Sequence, residues 1–152
     1  MLDQLRVRNF KSLRDVTISF PKMTVLFGPN ASGKSNILDA IQALSRIGTQ
    51  RTLADALSDP IRGYPHEAFM FPSGGLPELL AAPSAAFSLD ARLARDKSLF
   101  HYRIEVAITP ESGSLTVEDE YLSLLGKNDQ PKGNPAIEQK DGRLRVRRKS
   151  NP

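Results

Sequence analysis

Residues 24–36 read Thr24-Val25-Leu26-Phe27-Gly28-Pro29-Asn30-Ala31-Ser32-Gly33-Lys34-Ser35-Asn36. The first four, without charge and apolar on both faces, predict a fully buried strand of the kind found in parallel sheets. A glycine-rich turn follows. Beyond it Ile37, Leu38, Ile41, Leu44 and Ile47 fall at helical spacing, with Gly48 as a stop. Residues 28–35 fit the pattern G-x-x-x-x-G-K-[ST], and strand, turn and helix in this order are the context in which that pattern forms a phosphate-binding P-loop.

Each residue type has a physical reason. Successive backbone N–H groups of the turn form a nest for phosphate oxygens. Gly28 and Gly33 allow backbone angles and a close approach that a side chain would block. The helix starting near Lys34 aims its free N–H groups and positive dipole end at the same point. Lys34 adds a full charge that can bridge β- and γ-phosphates. Ser35 offers a hydroxyl to Mg²⁺, a hard cation that keeps several waters. The nucleotide-binding candidates are Gly28, Pro29, Asn30, Ala31, Ser32, Gly33, Lys34 and Ser35, with Ser35 as metal ligand. The expected cofactors are ATP and Mg²⁺.

Upstream, Leu2, Leu5, Val7 and Phe10 suit a short strand. Val16, Ile18 and Phe20 alternate with Asp15, Thr17 and Ser19, the period of a half-buried strand. Downstream, residues 49–85 carry five prolines and three glycines and predict a loop-rich insertion, with short helical turns near 53–57 and 77–81. Period-two patterns return at Phe87-Leu89-Ala91-Leu93, at Phe100-Tyr102-Ile104-Val106-Ile108 and at Leu115-Val117-Tyr121, predicting an antiparallel meander with one apolar face. Residues 126–135 predict a linker, and Leu144 and Val146 a last edge strand. The expected division is a P-loop β/α segment (1–48), the insertion (49–85), the meander (86–125) and a linker with basic tail (126–152).

The 152 residues suffice for one domain with a real core. No cysteine is present, which excludes disulfides, thiolate metal sites and a cysteine nucleophile. The N-terminus has no apolar run of a signal peptide, and nothing approaches a bilayer span, so a cytoplasmic protein without membrane contact is expected. Six of the 21 Lys/Arg and two of the 17 Asp/Glu lie from residue 138 onward, leaving fifteen of each sign before it. The net charge of +4 is therefore a property of the tail. Such a run reads as a solvated terminus or exposed strand, and is compatible with contact to phosphates of DNA.

Leu5-Arg6-Val7-Arg8-Asn9-Phe10-Lys11-Ser12-Leu13, followed by Phe27-Gly28-Pro29-Asn30-Ala31-Ser32-Gly33-Lys34-Ser35-Asn36, resembles the start of the RecF/SMC/OLD-like group of ABC-type AAA-family ATPases. The resemblance is sharp over residues 1–48 and looser over 87–125. It implies an α/β P-loop NTPase fold, an ABC-type N-terminal lobe carrying an antiparallel β subdomain. It adds Asn36, Lys11 and Ser12 to the nucleotide-binding set. It also implies ATP hydrolysis in a longer parent, a homodimer, and action on DNA in repair, chromosome maintenance or phage defence.

Hydrolysis in that group needs a Walker B segment, apolar residues followed by Asp-Glu. Ala86-Phe87-Ser88-Leu89-Asp90 and Thr116-Val117-Glu118-Asp119-Glu120 do not qualify, and Ser73-Gly74-Gly75 reads as an ordinary turn instead of the family's signature. His66 and His101 stand alone and make no metal site. No catalytic residue is assigned. The expectation is an incomplete fold, missing its C-terminal part and hydrolysis-deficient alone. The alternatives are a non-hydrolysing nucleotide-binding module and a small P-loop kinase or transporter ATPase subunit.

Overall fold

The computed structural model describes residues 1–140 and 143–147. Residues 141, 142 and 148–152, with the basic-tail positions Arg148 and Lys149, lie outside them, as does the side chain of Lys140.

Seven strands form one antiparallel sheet: β1 (Leu2–Phe10), β2 (Leu13–Ser19), β3 (Ala85–Arg95), β4 (Ser98–Thr109), β5 (Ser114–Leu125), β6 (Ile137–Lys140) and β7 (Arg143–Val146). Their order is β2-β1-β3-β4-β5-β6-β7. The meander β3–β5 follows from the alternation of its residues. Phe87, Leu89 and Ala91 are buried on β3, and Ile104, Val106 and Ile108 on β4, while Asp90, His101 and Arg103 face the other side. β5 carries a bulge at Glu118, because Glu105 pairs with Asp119 and Val106 with Val117.

The pairing of β1 with β3 joins the N-terminal hairpin to the meander, with Val7 opposite Leu89 and Leu5 opposite Ala91. Leu5, Val7 and Phe10 thereby enter the same core as Phe87 and Leu89. The ring of Phe87 packs edge-on to Phe10, 5.2 Å between centroids, and tilted against Phe69 at 5.1 Å.

Helix α1 (Lys34–Ile47) lays Ala40 and Ala43 fully into this core, with Ile37, Ile41, Leu44 and Ile47 packed beside them. Leu38, expected on that face, is 55% exposed, and its neighbour Asp39 is buried in its place. The insertion holds α2 (Leu53–Ala56), a 3₁₀ turn (Pro65–Ala68) and α3 (Gly75–Ala81). Leu57, Ile61, Ala68 and Phe69 anchor it in the core. Ser73-Gly74-Gly75 forms the turn leading into α3, where Gly75 N–H donates to Pro72 C=O.

Two expectations are corrected. Residues 24–27 form no strand, and Val25 and Phe27 are 66% and 91% exposed. A strand apolar on both faces needs parallel neighbours and a cover on each side. Every described strand is antiparallel and none pairs with residues 24–27, of which only Leu26 is half-buried. The α/β architecture read from the motif is accordingly not what the described residues build. They form an antiparallel sheet packed on one face by a long helix and short helical turns. No helix among them is long and apolar enough to cross a membrane.

Candidate functional site

The turn between β1 and β2 and the loop before α1 meet at one end of the sheet. Lys11 and Ser12 make the tight reversal, and Lys11 adopts φ 49° to do so. Its N–H donates to Ala68 C=O at 2.9 Å, which fastens the insertion to the hairpin.

The glycine loop has the backbone a nest requires. Gly28, Ala31 and Gly33 take φ values of 150°, 64° and 89°. The φ of 89° favours glycine at position 33, where a Cβ would also stand close to Leu13 Cδ2, at 3.2 Å. α1 then begins at Lys34 with Gly33 as its cap residue. No side chain caps it and no acid stands in its first turn. The N–H groups of Lys34, Ser35 and Asn36 therefore have no intrahelical acceptor, and the positive end of the helix is not neutralised.

Lys34 folds back over the loop, its Nζ donating to Gly28 C=O at 2.8 Å and Pro29 C=O at 2.6 Å. Asn36 Nδ2 donates to Ser12 Oγ at 2.7 Å and ties the hairpin turn to the helix. Ser35 is exposed. Ser12, residues 30–36 and Arg62 line a groove of about 380 Å³. This donor set suits a polyphosphate: backbone N–H groups, hydroxyls and cations converge, and no carboxylate lines the groove among the described residues.

The structure thus brings Ser12 to the groove with residues 30–36. Lys11 it turns elsewhere. Lys11 Nζ donates to Asp39 Oδ2 at 2.6 Å and to Arg62 C=O at 2.7 Å. Arg62 Nη2 reaches the same carboxylate oxygen at 2.8 Å. Asp39 is 5% exposed and Lys11 11%, whereas Arg62 is 59% exposed. Burial alone would push the Asp39 carboxyl up, but the hydrogen bonds from Arg62 and Lys11 outweigh it and hold it below the ordinary carboxylate range.

A second cavity, of about 720 Å³, adjoins the groove and shares Ser12, Asn36 and Arg62 with it. Phe69, Met70 and Phe71 give it apolar walls, Lys11 and Arg14 add cations, and Glu67, which accepts from Tyr64 N–H, adds a carboxylate. Sequence reasoning missed Asp39 and Arg62 as site residues. The signal for Asp39 was an acid four residues before Ala43 and three after Asn36, on the same helix face. Arg62 drew notice only as an arginine that could serve a kinase alternative, with Arg46 and Arg51, since its position depends on how the insertion packs.

The acids weighed as Walker B are engaged elsewhere on the sheet. Asp90 lies 2.9 Å from His101 Nε2, Asp119 accepts from Arg103 Nε at 2.6 Å, and Glu120 accepts from the Tyr102 hydroxyl.

A glycine loop of this build, opening a helix that carries Lys-Ser at its start, defines the class of P-loop NTPases. Within it, the chain belongs to the AAA ATPase domain family, which it matches over residues 1–144. It is similar to the DNA replication and repair protein RecF of Lactobacillus acidophilus, 40% identical over 55 residues, covering 36% of this chain and 15% of the relative. RecF of a Picosynechococcus species is 41% identical over 56 residues, covering 36% and 14%. The chromosome partition protein Smc of Methanocaldococcus jannaschii is 49% identical over 41 residues, covering 26% and 4%. The domain is RecF/SMC-like, and the aligned part spans about 15% or less of these relatives' length.

Proposed function

We propose that residues 28–36 bind the polyphosphate of ATP, with Ser35 as a ligand to Mg²⁺ and Ser12 at the groove wall. The observation that carries this reading is the uncapped, unneutralised start of α1 beside Lys34. An incoming phosphate would take over Lys34 Nζ from the two loop carbonyls and accept from the free N–H groups. The nucleoside would extend toward the larger cavity, where Met70 and Phe71 offer an apolar surface. Lys11, at the wall of that cavity, supports the site through Asp39 and the Arg62 carbonyl, with its ammonium committed to both.

Hydrolysis by these residues alone is negligible on this reading. The nearest carboxylate on α1, Asp39, is committed to two cations and has no freedom to activate water. The likeness to the DNA replication and repair protein RecF and the chromosome partition protein Smc supports a role on DNA, in which a dimer closes with ATP and a carboxylate other than Asp39 activates the water.

Equilibrium titration with a fluorescent ATP analogue, with and without Mg²⁺, tests the proposal. Saturable binding that Lys34→Ala abolishes is expected. Binding indifferent to that substitution would overturn the site. Mg²⁺-dependent turnover by the purified chain would overturn the claim of negligible hydrolysis.

A further inference from the structure

Asp39 is one buried acid facing two cations, and the two are not equivalent. Lys11 is 11% exposed and its Nζ has two acceptors, Asp39 Oδ2 and the Arg62 carbonyl. Arg62 is 59% exposed, and its guanidinium meets Asp39 and, at 3.3 Å, Asn36 Oδ1. Lys11 therefore pins the backbone of residue 62 while leaving its side chain at the rim of the groove. If the guanidinium leaves, Asp39 keeps Lys11 and no buried charge is left unpaired. If Lys11 left, a nearly enclosed ammonium would lose its partner, which is costly.

We infer that Arg62 is a parked arm: it rests on Asp39 and transfers to the bound polyphosphate, while Lys11 remains behind as the resident counter-ion. The inference rests on the nucleotide reading of the groove. Several phosphate charges outcompete one carboxylate that is already shared between two cations. The arm moves through side-chain torsions alone, since its backbone carbonyl is held by Lys11. Asp39 thus acts as a positioning residue that sets how readily the arm is released.

The test follows the side-chain Nε–H of Arg62 and the ammonium of Lys11 by NMR in the full chain. A non-hydrolysable ATP analogue with Mg²⁺ is the titrant, and an Arg62→Lys variant assigns the resonance. The Arg62 signal is expected to shift with saturation and the Lys11 signal to stay. Saturable binding with Arg62 unmoved would overturn the arm and leave the nucleotide site standing. Absence of saturable binding would overturn both.

A second measurement uses changes in affinity. Arg62→Gln removes one charge-assisted contact and should weaken triphosphate binding by roughly ten-fold. Asp39→Asn removes the competing acid, so the loss caused by Arg62→Gln should be at least as large in the Asp39→Asn background as in the unsubstituted chain. Disappearance of the Arg62→Gln effect in that background would mean that Arg62 acts only as a fixed support of Asp39 and would overturn the arm. The resonance measurement on the unsubstituted chain decides the matter if Asp39→Asn fails to fold.

Discussion

Lys11 Nζ stands 2.6 Å from Asp39 Oδ2, so the turn of the first hairpin is bonded to the second turn of the helix that follows the P-loop. The pair sits beneath the groove and fixes the relative position of Ser12 and Asn36, whose side chains are hydrogen-bonded across the same gap. Removing the acid leaves a buried cation behind. Asp39→Ala is expected to destabilise the chain by about 3 kcal/mol, toward the lower end of the cost of breaking a buried pair. Arg62→Gln, at an exposed partner, should cost under about 1 kcal/mol. Urea unfolding of the two variants checks the difference.

The same carboxyl gives stability a pH dependence. Burial opposes its ionisation, but the bonds from Arg62 and Lys11 prevail, and the folded-state value lies below the ordinary 3.8. As pH falls, the unfolded chain takes up this proton before the folded chain does. The contribution is complete above about pH 5 and is lost as pH drops through 3.8 and on toward the folded value. Asp15 adds to the trend, held low by its hydrogen bond from Arg6. Urea midpoints measured from pH 6 down to pH 3 should fall, and the fall should be shallower in Asp39→Asn.

Gly33 offers a local test of the loop. Its φ of 89° opposes a side chain, and a Cβ would press on Leu13 Cδ2 at 3.2 Å. Gly33→Ala should cost about 1–2 kcal/mol from the backbone alone and lower the melting temperature by several degrees. Nucleotide affinity should fall with it, because the strain lies in the nest. A control at Gly113, where a Cβ meets nothing within 4 Å, should leave affinity unchanged.

Ser35 is the metal candidate. With Ser35→Ala, binding of the fluorescent ATP analogue in the absence of Mg²⁺ should match that of the unsubstituted chain. The enhancement by Mg²⁺ should shrink several-fold, since one hard oxygen ligand is gone. Titrations with Mg²⁺ and with EDTA check it. Equal enhancement in both chains would remove Ser35 from the metal site.

Much of this was legible because the signals are local. Val16 and Ile18 alternate with Asp15 and Thr17, and β2 is half-buried in that phase. The pattern G-x-x-x-x-G-K-S placed the loop and the first residue of α1. Two kinds of information were not local. The pairing of Val7 with Leu89 spans the whole insertion, and hydrophobic alternation specifies a face but no partner. Residues 24–27 have the composition of a buried strand, yet composition does not supply the neighbours that would bury them. Arg62 reached the groove by the same non-local route, through the packing of Ile61 and Phe69 beneath it.

The stretch from Met23 to Phe27 keeps every side chain but that of Leu26 exposed, with Met23 at 80% and Phe27 at 91% exposure. Its β-branched and aromatic residues carry no charge and no proline, and no described strand takes up its backbone groups. Such a ribbon is a ready seed for intermolecular cross-β stacking. Solubility is therefore expected to be limited a few residues ahead of the ligand loop: Phe27→Ser should lower light scattering at high concentration relative to the unsubstituted chain.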